Sequence, residues 1–309
     1  MKIASKVQTM IILNNYLEKL LYLYKPTCIR LKSKHKNVFS SFCLFISLCV
    51  LSTVSAAQPK IVGGNKAVPN GYPFMVSVEY QDDNTQFCGA SLITENKILT
   101  AAHCITDDNG LIINDKIQVR LGTNVLKDGS GTVISVKTIS KHPLYNPDTI
   151  DYDVAILTLI TSVRLSDKIN VINLPKACQS ILCLTGLVTP GTSVRAIGWG
   201  LTSFEGDASA VLREVDMPLI SNAQCKVSIG ESTPITDRMI CADGTKKRPK
   251  ADTCQGDSGG PLFAYIAAAR AGLQTGIVSF GNDCAVNSGA YARVSNPSIR
   301  AFILKHAGI

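Results

Sequence analysis

Three side chains in this sequence have the chemistry of a hydrolytic triad: an imidazole at His103, a carboxylate at Asp153 and a hydroxyl at Ser258. Cleaving a peptide bond requires a nucleophile stronger than a free hydroxyl, a base that takes its proton and a group that orients the base. Backbone N–H groups must also stabilise the oxyanion, and Ser258 lies in a turn rich in glycine, Gly256-Asp257-Ser258-Gly259-Gly260. The sequence therefore offers a candidate for every part of such a site.

The order of these residues along the chain excludes one fold. Gly-x-Ser-x-Gly also describes the nucleophile elbow of an α/β-hydrolase, in which the serine precedes the acid and the histidine. Here the histidine comes first and the serine last. His306 would have to be the base of a hydrolase, and the segment after Ser258 is too short for the remaining strands and helices of that fold.

The elements that must position these residues are predicted to be short strands. β-branched and apolar runs alternate with Gly, Pro, Asn and Asp turns, which indicates an all-β fold of sandwich or barrel type. The predicted strands are 74–80, 98–100, 117–121, 133–140, 154–159, 194–198, 276–280 and 290–294. A terminal helix follows Ser295-Asn296-Pro297, which supplies an N-cap and a first-turn proline. Residues 174–190 lack strand alternation, so we place the boundary between two β units there.

Four signatures occur in one order along the chain: Ile61-Val62-Gly63-Gly64, Thr100-Ala101-Ala102-His103-Cys104, Asp153-Val154-Ala155-Ile156-Leu157 and Gly256-Asp257-Ser258-Gly259-Gly260-Pro261-Leu262. Together they resemble the chymotrypsin-like serine proteases, the trypsins in particular. The resemblance covers essentially all of residues 61–309. It implies two antiparallel six-stranded β-barrels with a C-terminal helix, the first barrel at about 61–175 and the second at about 190–309, and a serine endopeptidase activity.

The resemblance also implies a role for each triad residue. Ser258 would be the nucleophile, His103 the general base and then the acid, and Asp153 the buried carboxylate that fixes the imidazole tautomer. The N–H groups of Gly256 and Ser258 would form the oxyanion hole. Asp151 competes with Asp153, because both would face one side of a strand. We favour Asp153 because it directly precedes the apolar strand, as the family pattern requires.

The same resemblance predicts the substrate specificity. Asp252, six residues before the nucleophile, would lie at the bottom of the pocket for the substrate side chain and select Lys or Arg. Gly281 and Gly289 would form the pocket walls, and Ser279 and Gly281 would pair with the substrate backbone as an added strand. Asp283 replaces a usual glycine beside the pocket, so we expect an unusual preference at neighbouring substrate positions.

Eleven cysteines divide between the two parts of the chain: three lie within residues 1–57 and eight follow. An even number behind an apolar leader indicates disulfides formed in an oxidising compartment. The resemblance pairs Cys88 with Cys104, Cys225 with Cys241, and Cys254 with Cys284. Cys178 and Cys183 are left over, and pairing with each other is the economical assignment.

Residues 1–57 read as a leader with a signal peptide. An apolar run at 38–54 follows three lysines and precedes Ser55-Ala56-Ala57, the order of a signal sequence. The run is also near the lower limit for a membrane-spanning anchor; we favour cleavage and a secreted, extracellular protein. Residues 58–60 would be a short propeptide, and cleavage between Lys60 and Ile61 would free an ammonium that, in the family, pairs with Asp257. The mature protein itself should cleave after lysine, so we expect self-activation.

Charge and composition limit the partners. Nine of the 31 basic residues and one of the 23 acidic residues lie in residues 1–60, so the rest of the chain is balanced. We therefore expect protein or peptide substrates, proteinaceous inhibitors, no nucleic acid, no stable membrane association after signal cleavage, and a monomer. We expect no cofactor and no metal, because residues 121–133 offer only one carboxylate, Asp128, where animal trypsins bind calcium.

Two other functions remain compatible with the pattern. Secreted relatives with broken triads act as binding proteins without activity, whereas every triad and oxyanion position is intact here. A protease with a narrow regulatory substrate would carry the same motifs as a digestive one, because surface loops set extended specificity.

Overall fold

The computed structural model describes residues 63–113, 116–176, 188–203, 206–230, 233–266, 271–281 and 283–309. Within these ranges the chain forms thirteen strands, two α-helices and one short 3-10 helix. Lys60, Ile61, Cys178 and Cys183 lie outside the described residues.

The first barrel closes with six antiparallel strands in the order β2-β3-β4-β7-β6-β5. The strands are β2 (Met75–Tyr80), β3 (Gln86–Thr94), β4 (Lys97–Thr100), β5 (Ile117–Leu121), β6 (Thr132–Lys141) and β7 (Ala155–Leu159). Apolar residues fill its interior, among them the fully buried Val76, Leu92, Leu99, Val119 and Leu157. These β-branched and leucine side chains suit a pleated, buried surface.

The second barrel contains six strands in the order β9-β10-β13-β12-β11-β8, and the β8–β9 pairing closes it. The strands are β8 (Ser193–Gly198), β9 (Arg213–Ile220), β10 (Met239–Ala242), β11 (Pro261–Ile266), β12 (Ala271–Phe280) and β13 (Gly289–Arg293). The short strand β1 (Asn65–Lys66) pairs with β9. Two closed six-stranded barrels confirm the predicted fold class.

One apolar cluster extends from the first barrel into part of the second, and a buried polar contact also joins the two barrels. The rings of Phe74 and Phe263 meet edge to face, with centroids 5.3 Å apart. Ser91 Oγ of β3 donates to Gln274 Oε1 of β12 at 2.7 Å, and both side chains are buried. These contacts fix the cleft between the barrels, where the predicted site residues lie.

The terminal helix predicted from the sequence is the second α-helix of the structure. It is α2 (Pro297–Ala307), capped by Asn296, whose Oδ1 accepts a hydrogen bond from Ser298 N at 3.0 Å. Its Ile299, Phe302 and Ile303 are buried in the core, as their shared face predicts. None of the helices in the described ranges is long and apolar enough to span a bilayer.

One helix and several strands were not predicted from the sequence. Helix α1 (Asn222–Ile229) has no apolar face, but Ser221 and Gln224 form a capping box, a signal that could have located it. The unpredicted strands are β1, β3, β9, β10 and β11. In β9 the side chains alternate between buried and half-buried, but three charged residues and Pro218 mask the apolar half of that pattern.

Within the described ranges, three disulfides join the pairs Cys88–Cys104, Cys225–Cys241 and Cys254–Cys284. They are the pairs that the resemblance implies. The first lies beside His103, the second ties α1 to β10, and the third borders the cavity that contains Asp252.

Replacing both Cys225 and Cys241 with Ala should destabilise the fold without touching the cleft. The bridge spans 16 residues, and a cross-link of this length contributes about 3 kcal/mol by restricting the unfolded chain. Urea unfolding should show a loss of about that size. Val227→Ala in the same helix is the control, because Val227 is 86% exposed and should change stability by less than about 0.5 kcal/mol. An unchanged midpoint in the double variant would contradict the structural role of the bridge.

Candidate active site

Asp153 and His103 are joined by two hydrogen bonds. Asp153 Oδ2 lies 2.8 Å from His103 Nδ1, and Asp153 Oδ1 accepts from the backbone N–H of His103 at 2.9 Å. The Ser279 hydroxyl donates to the same Oδ2. The carboxylate is fully buried, so these donors from both barrels take the place of water. His103 opens the 3-10 helix His103–Ile105, next to the Cys88–Cys104 bridge.

The neighbouring carboxylate, Asp151, points elsewhere. It pairs with Arg238, whose Nη2 donates to Asp151 Oδ2 at 2.6 Å, and it accepts from Thr236 Oγ1 at 3.1 Å. Tyr152, between the two aspartates, has a positive φ of 55°, so the segment is a turn and not a strand. The two carboxylates therefore do not share a face, and Asp153 is the one bonded to the imidazole.

Burial and charge act in opposite directions on this pair. Burial opposes the imidazolium, but the Asp153 carboxylate outweighs it, so the pKa of His103 is raised above its ordinary 6.5. Burial likewise opposes the Asp153 anion, whereas His103 and the Ser279 hydroxyl together hold the pKa of Asp153 below its ordinary value. The His103 ring remains accessible, with 27% of its side chain exposed.

Ser258 is fixed through its backbone. Its carbonyl accepts from Gly89 N at 2.7 Å, and the next N–H, of Gly259, donates to Val278 O at 2.8 Å. No hydrogen bond joins the Ser258 hydroxyl to His103 among the described residues; such contacts are often loose without substrate. The backbone N–H groups of Gly256 and Ser258 likewise donate no hydrogen bond to any of the described residues. Both are therefore available to an oxyanion.

A cavity of about 180 Å³ opens beside Ser258. Asp252, Ser279, Gly281 and Gly289 all line it, as the sequence predicts, and so does Asp283. A Cβ on Gly281 would lie 3.7 Å from the Cα of Gly289, in the space between the two walls. A Cβ on Gly289 would come within 2.8 Å of the Tyr291 hydroxyl. A side chain at Gly289 would therefore require Tyr291 to move, whereas a Cβ at Gly281 would make only ordinary contacts.

Asp252 is a buried carboxyl group without a cationic partner among the described residues. Its side chain is 5% exposed, and its two oxygens accept from the N–H groups of Thr253 and Ala285, each at 2.8 Å. Burial raises the pKa of Asp252 to about 7. A cation that enters the cavity would favour the ionised carboxylate and recover the cost of desolvation.

Asp257, next to the serine, is the second such carboxylate. It is completely buried and accepts from Gly200 N at 2.8 Å and Cys254 N at 2.9 Å. Burial raises its pKa to about 6. The space around the Asp257 carboxylate is tight, since a Cβ on Gly200 would lie 2.6 Å from the carboxylate carbon.

The chemistry of the ligands argues against a metal at the imidazole. In the described ranges, the one group of His, Cys, Asp and Glu side chains close enough to hold an ion is Cys88, His103 and Cys104. Both sulfurs are bonded to each other in the disulfide, so neither is a thiolate ligand.

Comparison with known proteins agrees with this geometry. The family model described as Trypsin matches residues 61–303. The chain belongs to the trypsin family. It is therefore a serine-type endopeptidase that acts on protein substrates.

Individual members of the trypsin family match over most of their length. Trypsin 5G1 of Aedes aegypti is 35% identical over 252 residues, which cover 81% of this chain and 86% of that protein. Trypsin of Xenopus laevis is 35% identical over 260 residues, 82% of this chain and 94% of the relative. Mast cell protease 3 of Ovis aries is 31% identical over 256 residues, with 82% and 92% covered.

Sequence reasoning missed two contacts of this trypsin-family site. From the sequence we expected the Ser279 backbone to pair with the substrate. The hydrogen bond from the Ser279 hydroxyl to Asp153 was not predicted. Gln86, whose amide reaches the Gly256 carbonyl, carried no signal at all, because its partner lies 170 residues away. The structure describes residues 63–66 and the residues around the Asp257 carboxylate, but Ile61 lies outside the described residues.

Removing the negative charge of Asp153 should lower the pKa of His103. Asp153→Asn eliminates the attraction that raises this pKa and leaves burial, which lowers it. Proton NMR titration of the ring C–H signals should follow the change. Asp151→Asn is the matched control, since Asp151 pairs with Arg238 and should leave the His103 titration in place. Equal shifts in both variants would show that the pair does not set this pKa.

Proposed function

We propose that this protein is made as a secreted zymogen and, once cleaved between Lys60 and Ile61, hydrolyses peptide bonds after Lys or Arg through His103, Asp153 and Ser258. The observation that carries the proposal is the pairing of a triad geometry with a buried carboxylate, Asp252, in the adjoining cavity.

Acylation would begin at the Ser258 hydroxyl. Its oxygen attacks the substrate carbonyl while His103 Nε2 takes the proton, and Asp153 stabilises the imidazolium through Nδ1. The negative charge that forms on the carbonyl oxygen is met by the free N–H groups of Gly256 and Ser258. The imidazolium then protonates the leaving amine, which frees the C-terminal fragment and leaves an acyl-enzyme. Water repeats the sequence, with His103 as base, to release the acid.

Selection would occur at Asp252. An empty or apolar-filled cavity leaves its carboxylate desolvated and without a counter-charge, whereas an ammonium or guanidinium of Lys or Arg supplies one. Breaking such a buried pair by removing one partner costs about 3–5 kcal/mol, which corresponds to about 10²–10⁴ in kcat/KM. Gly281 and Gly289 line the cavity without side chains of their own, which leaves room for the aliphatic part of either side chain.

Activation would use the second buried carboxylate. A new α-ammonium at Ile61 would pair with Asp257, whose burial without a cation already raises its pKa. Asp257 lies between Gly256 and Ser258, so ordering it also orders the two N–H groups that face the oxyanion. Gly63, two residues after Ile61, packs against the segment that precedes Asp252, where a Cβ would lie 1.8 Å from Lys250 O.

Peptide chromogenic substrates ending in Arg, Lys, Phe or Ala should test the proposed function directly. Protein whose N-terminus is Ile61 should cleave only the first two, and Ser258→Ala should lose about 10⁴-fold of the turnover, as triad deletions do. Asp252→Ser should lose about 10³-fold on Arg and Lys. Asp243→Ser is the matched control, because Asp243 does not line the cavity. No hydrolysis by correctly processed protein would favour the binding-homologue function.

The activation step has its own test. Ser258→Ala precursor should stay intact alone at high concentration but be cut between Lys60 and Ile61 by added active enzyme, as N-terminal sequencing would show. Precursor that carries Lys60→Gln should remain uncut both alone and with added active enzyme, because the glutamine side chain cannot neutralise Asp252. Wild-type precursor that never matures at high concentration would contradict self-activation.

A further inference from the structure

An exposed basic loop lies directly before the residue at the floor of the cavity. Residues 244–251 connect β10 to Asp252, and the loop is closed at its base, where Ala251 N donates to Gly244 O at 3.0 Å. Its exposed part carries four basic residues, Lys246, Lys247, Arg248 and Lys250. Each of them has a side chain of the kind that Asp252 is proposed to select, so the loop resembles a substrate of the protein that contains it.

Two of the bonds that follow these residues are protected. A substrate pairs with the cleft through its own backbone, so its N–H groups must be free and its backbone extended. The N–H of Ala251 is bonded to Gly244 O and Ala251 is buried, which protects the bond after Lys250. Pro249 has no N–H and a fixed φ, so the bond after Arg248 fits an extended geometry poorly.

The bond after Lys247 is the accessible one. The N–H of Lys247 itself donates to Gly244 O at 3.0 Å, which ties down the bond after Lys246, whereas the N–H of Arg248 donates to no described residue. The Lys247 ammonium donates to Asp216 O at 2.5 Å on the exposed surface. A carboxylate is a stronger partner for an ammonium than this neutral carbonyl, so Asp252 of another molecule can take Lys247 from it.

We propose that the bond between Lys247 and Arg248 is a self-cleavage site, cut by Ser258 of a second active molecule, and that this cut inactivates the enzyme. The proposal rests on the function proposed above, cleavage after Lys or Arg. One water is consumed: the bond from the Lys247 carbonyl carbon to the Arg248 nitrogen breaks, which leaves a carboxylate on Lys247 and an amine on Arg248. Lys247 and Asp252 lie in one short segment, so Lys247 cannot enter its own cavity and the reaction is between molecules.

The cut would divide the triad and the second barrel between two chains. Strands β8, β9 and β10 would stay with His103 and Asp153, whereas β11, β12 and β13 would stay with Ser258. Each disulfide of the described residues lies within one of the two pieces. Cys178 and Cys183 both precede the cut. No disulfide would therefore join the pieces, and only packing and strand pairing would hold the triad together.

The same loop contacts the segment that activation would create. Gly63 packs so closely on the loop that a Cβ there would lie 1.8 Å from Lys250 O. After the cut, Lys250 and Asp252 would be attached to the chain on one side only. The floor of the cavity and the support for the new N-terminus would thus lose rigidity together, which is the reason to expect inactivation.

The experiment follows protein that begins at Ile61 during incubation at several concentrations. Activity is measured with an arginine p-nitroanilide substrate, and the products are identified by mass spectrometry and on gels run without reductant. The double variant Lys246→Gln/Lys247→Gln removes the cleavable residues before Arg248. Lys127→Gln is the matched control, because Lys127 is an exposed lysine in the turn between β5 and β6.

We expect the activity of the wild-type protein to decay faster as its concentration rises, in step with the appearance of residues 61–247 and 248–309. The two pieces should separate without reductant. The double variant should start with the wild-type kcat and KM and keep its activity at least about tenfold longer, because glutamine cannot pair with Asp252. Lys127→Gln should decay like the wild type.

Equal decay of the double variant and the wild type, a first cut at another bond, or full activity of the cut protein would overturn the proposal. So would wild-type protein that stays intact at high concentration. A failure of the proposed function is distinct, since the wild type would then not hydrolyse the p-nitroanilide at all. A lysine-specific protease of another source, added to Ser258→Ala protein, tests the loop independently: it should cut first after Lys247, and a resistant loop would also overturn the proposal.

Discussion

A carboxylate that is removed from water on every side is stable only where hydrogen-bond donors surround it, and Asp153 meets this condition with donors from both barrels. His103 supplies two of them from the first barrel, and the hydroxyl of Ser279 supplies the third from the second barrel. The charge of Asp153 is thereby kept where it raises the pKa of His103. Either barrel alone would leave this anion under-bonded.

Both barrels also contribute to the segment around Ser258. The turn of Gly256 to Gly260 belongs to the second barrel, but β3 of the first holds its carbonyls. The inter-barrel contacts of Ser91 with Gln274 and Phe74 with Phe263 maintain the distance between the two halves. The candidate active site therefore lies at the interface between the barrels, and each barrel supplies part of it.

The electrostatics of the cleft follow from three buried carboxylates with different partners. Asp153 has a cation-forming neighbour and a lowered pKa, whereas Asp252 and Asp257 have only backbone donors and raised values, about 7 and about 6. The last two are desolvated sites that a cation stabilises. In the proposed function, one receives the substrate side chain and the other the new N-terminus.

Local motifs allowed much of this to be predicted from the sequence. The turns around His103 and Ser258 are contiguous, and strands such as β5 and β7 carry dense β-branched or leucine runs, so their type follows from neighbouring residues alone. Contacts between distant segments could not be predicted from local sequence patterns. The Asp151–Arg238 ion pair excludes Asp151 from the site, and the reach of Gln86 to Gly256 crosses from one barrel to the other. Strand β9 was missed because charged residues interrupt its apolar alternation, and helix α1 was missed because it has no apolar face.

The most direct measurement of the central claim is covalent labelling of the protein that begins at Ile61. A peptidyl diphenyl phosphonate with an amidine side chain reacts only with a serine whose hydroxyl is activated by a base and whose neighbouring pocket accepts a cation. Mass spectrometry should find one adduct per molecule, on Ser258, formed more slowly in the presence of benzamidine and much faster than with a phenylalanine analogue. An adduct on another residue, or equal rates for the two analogues, would contradict the account.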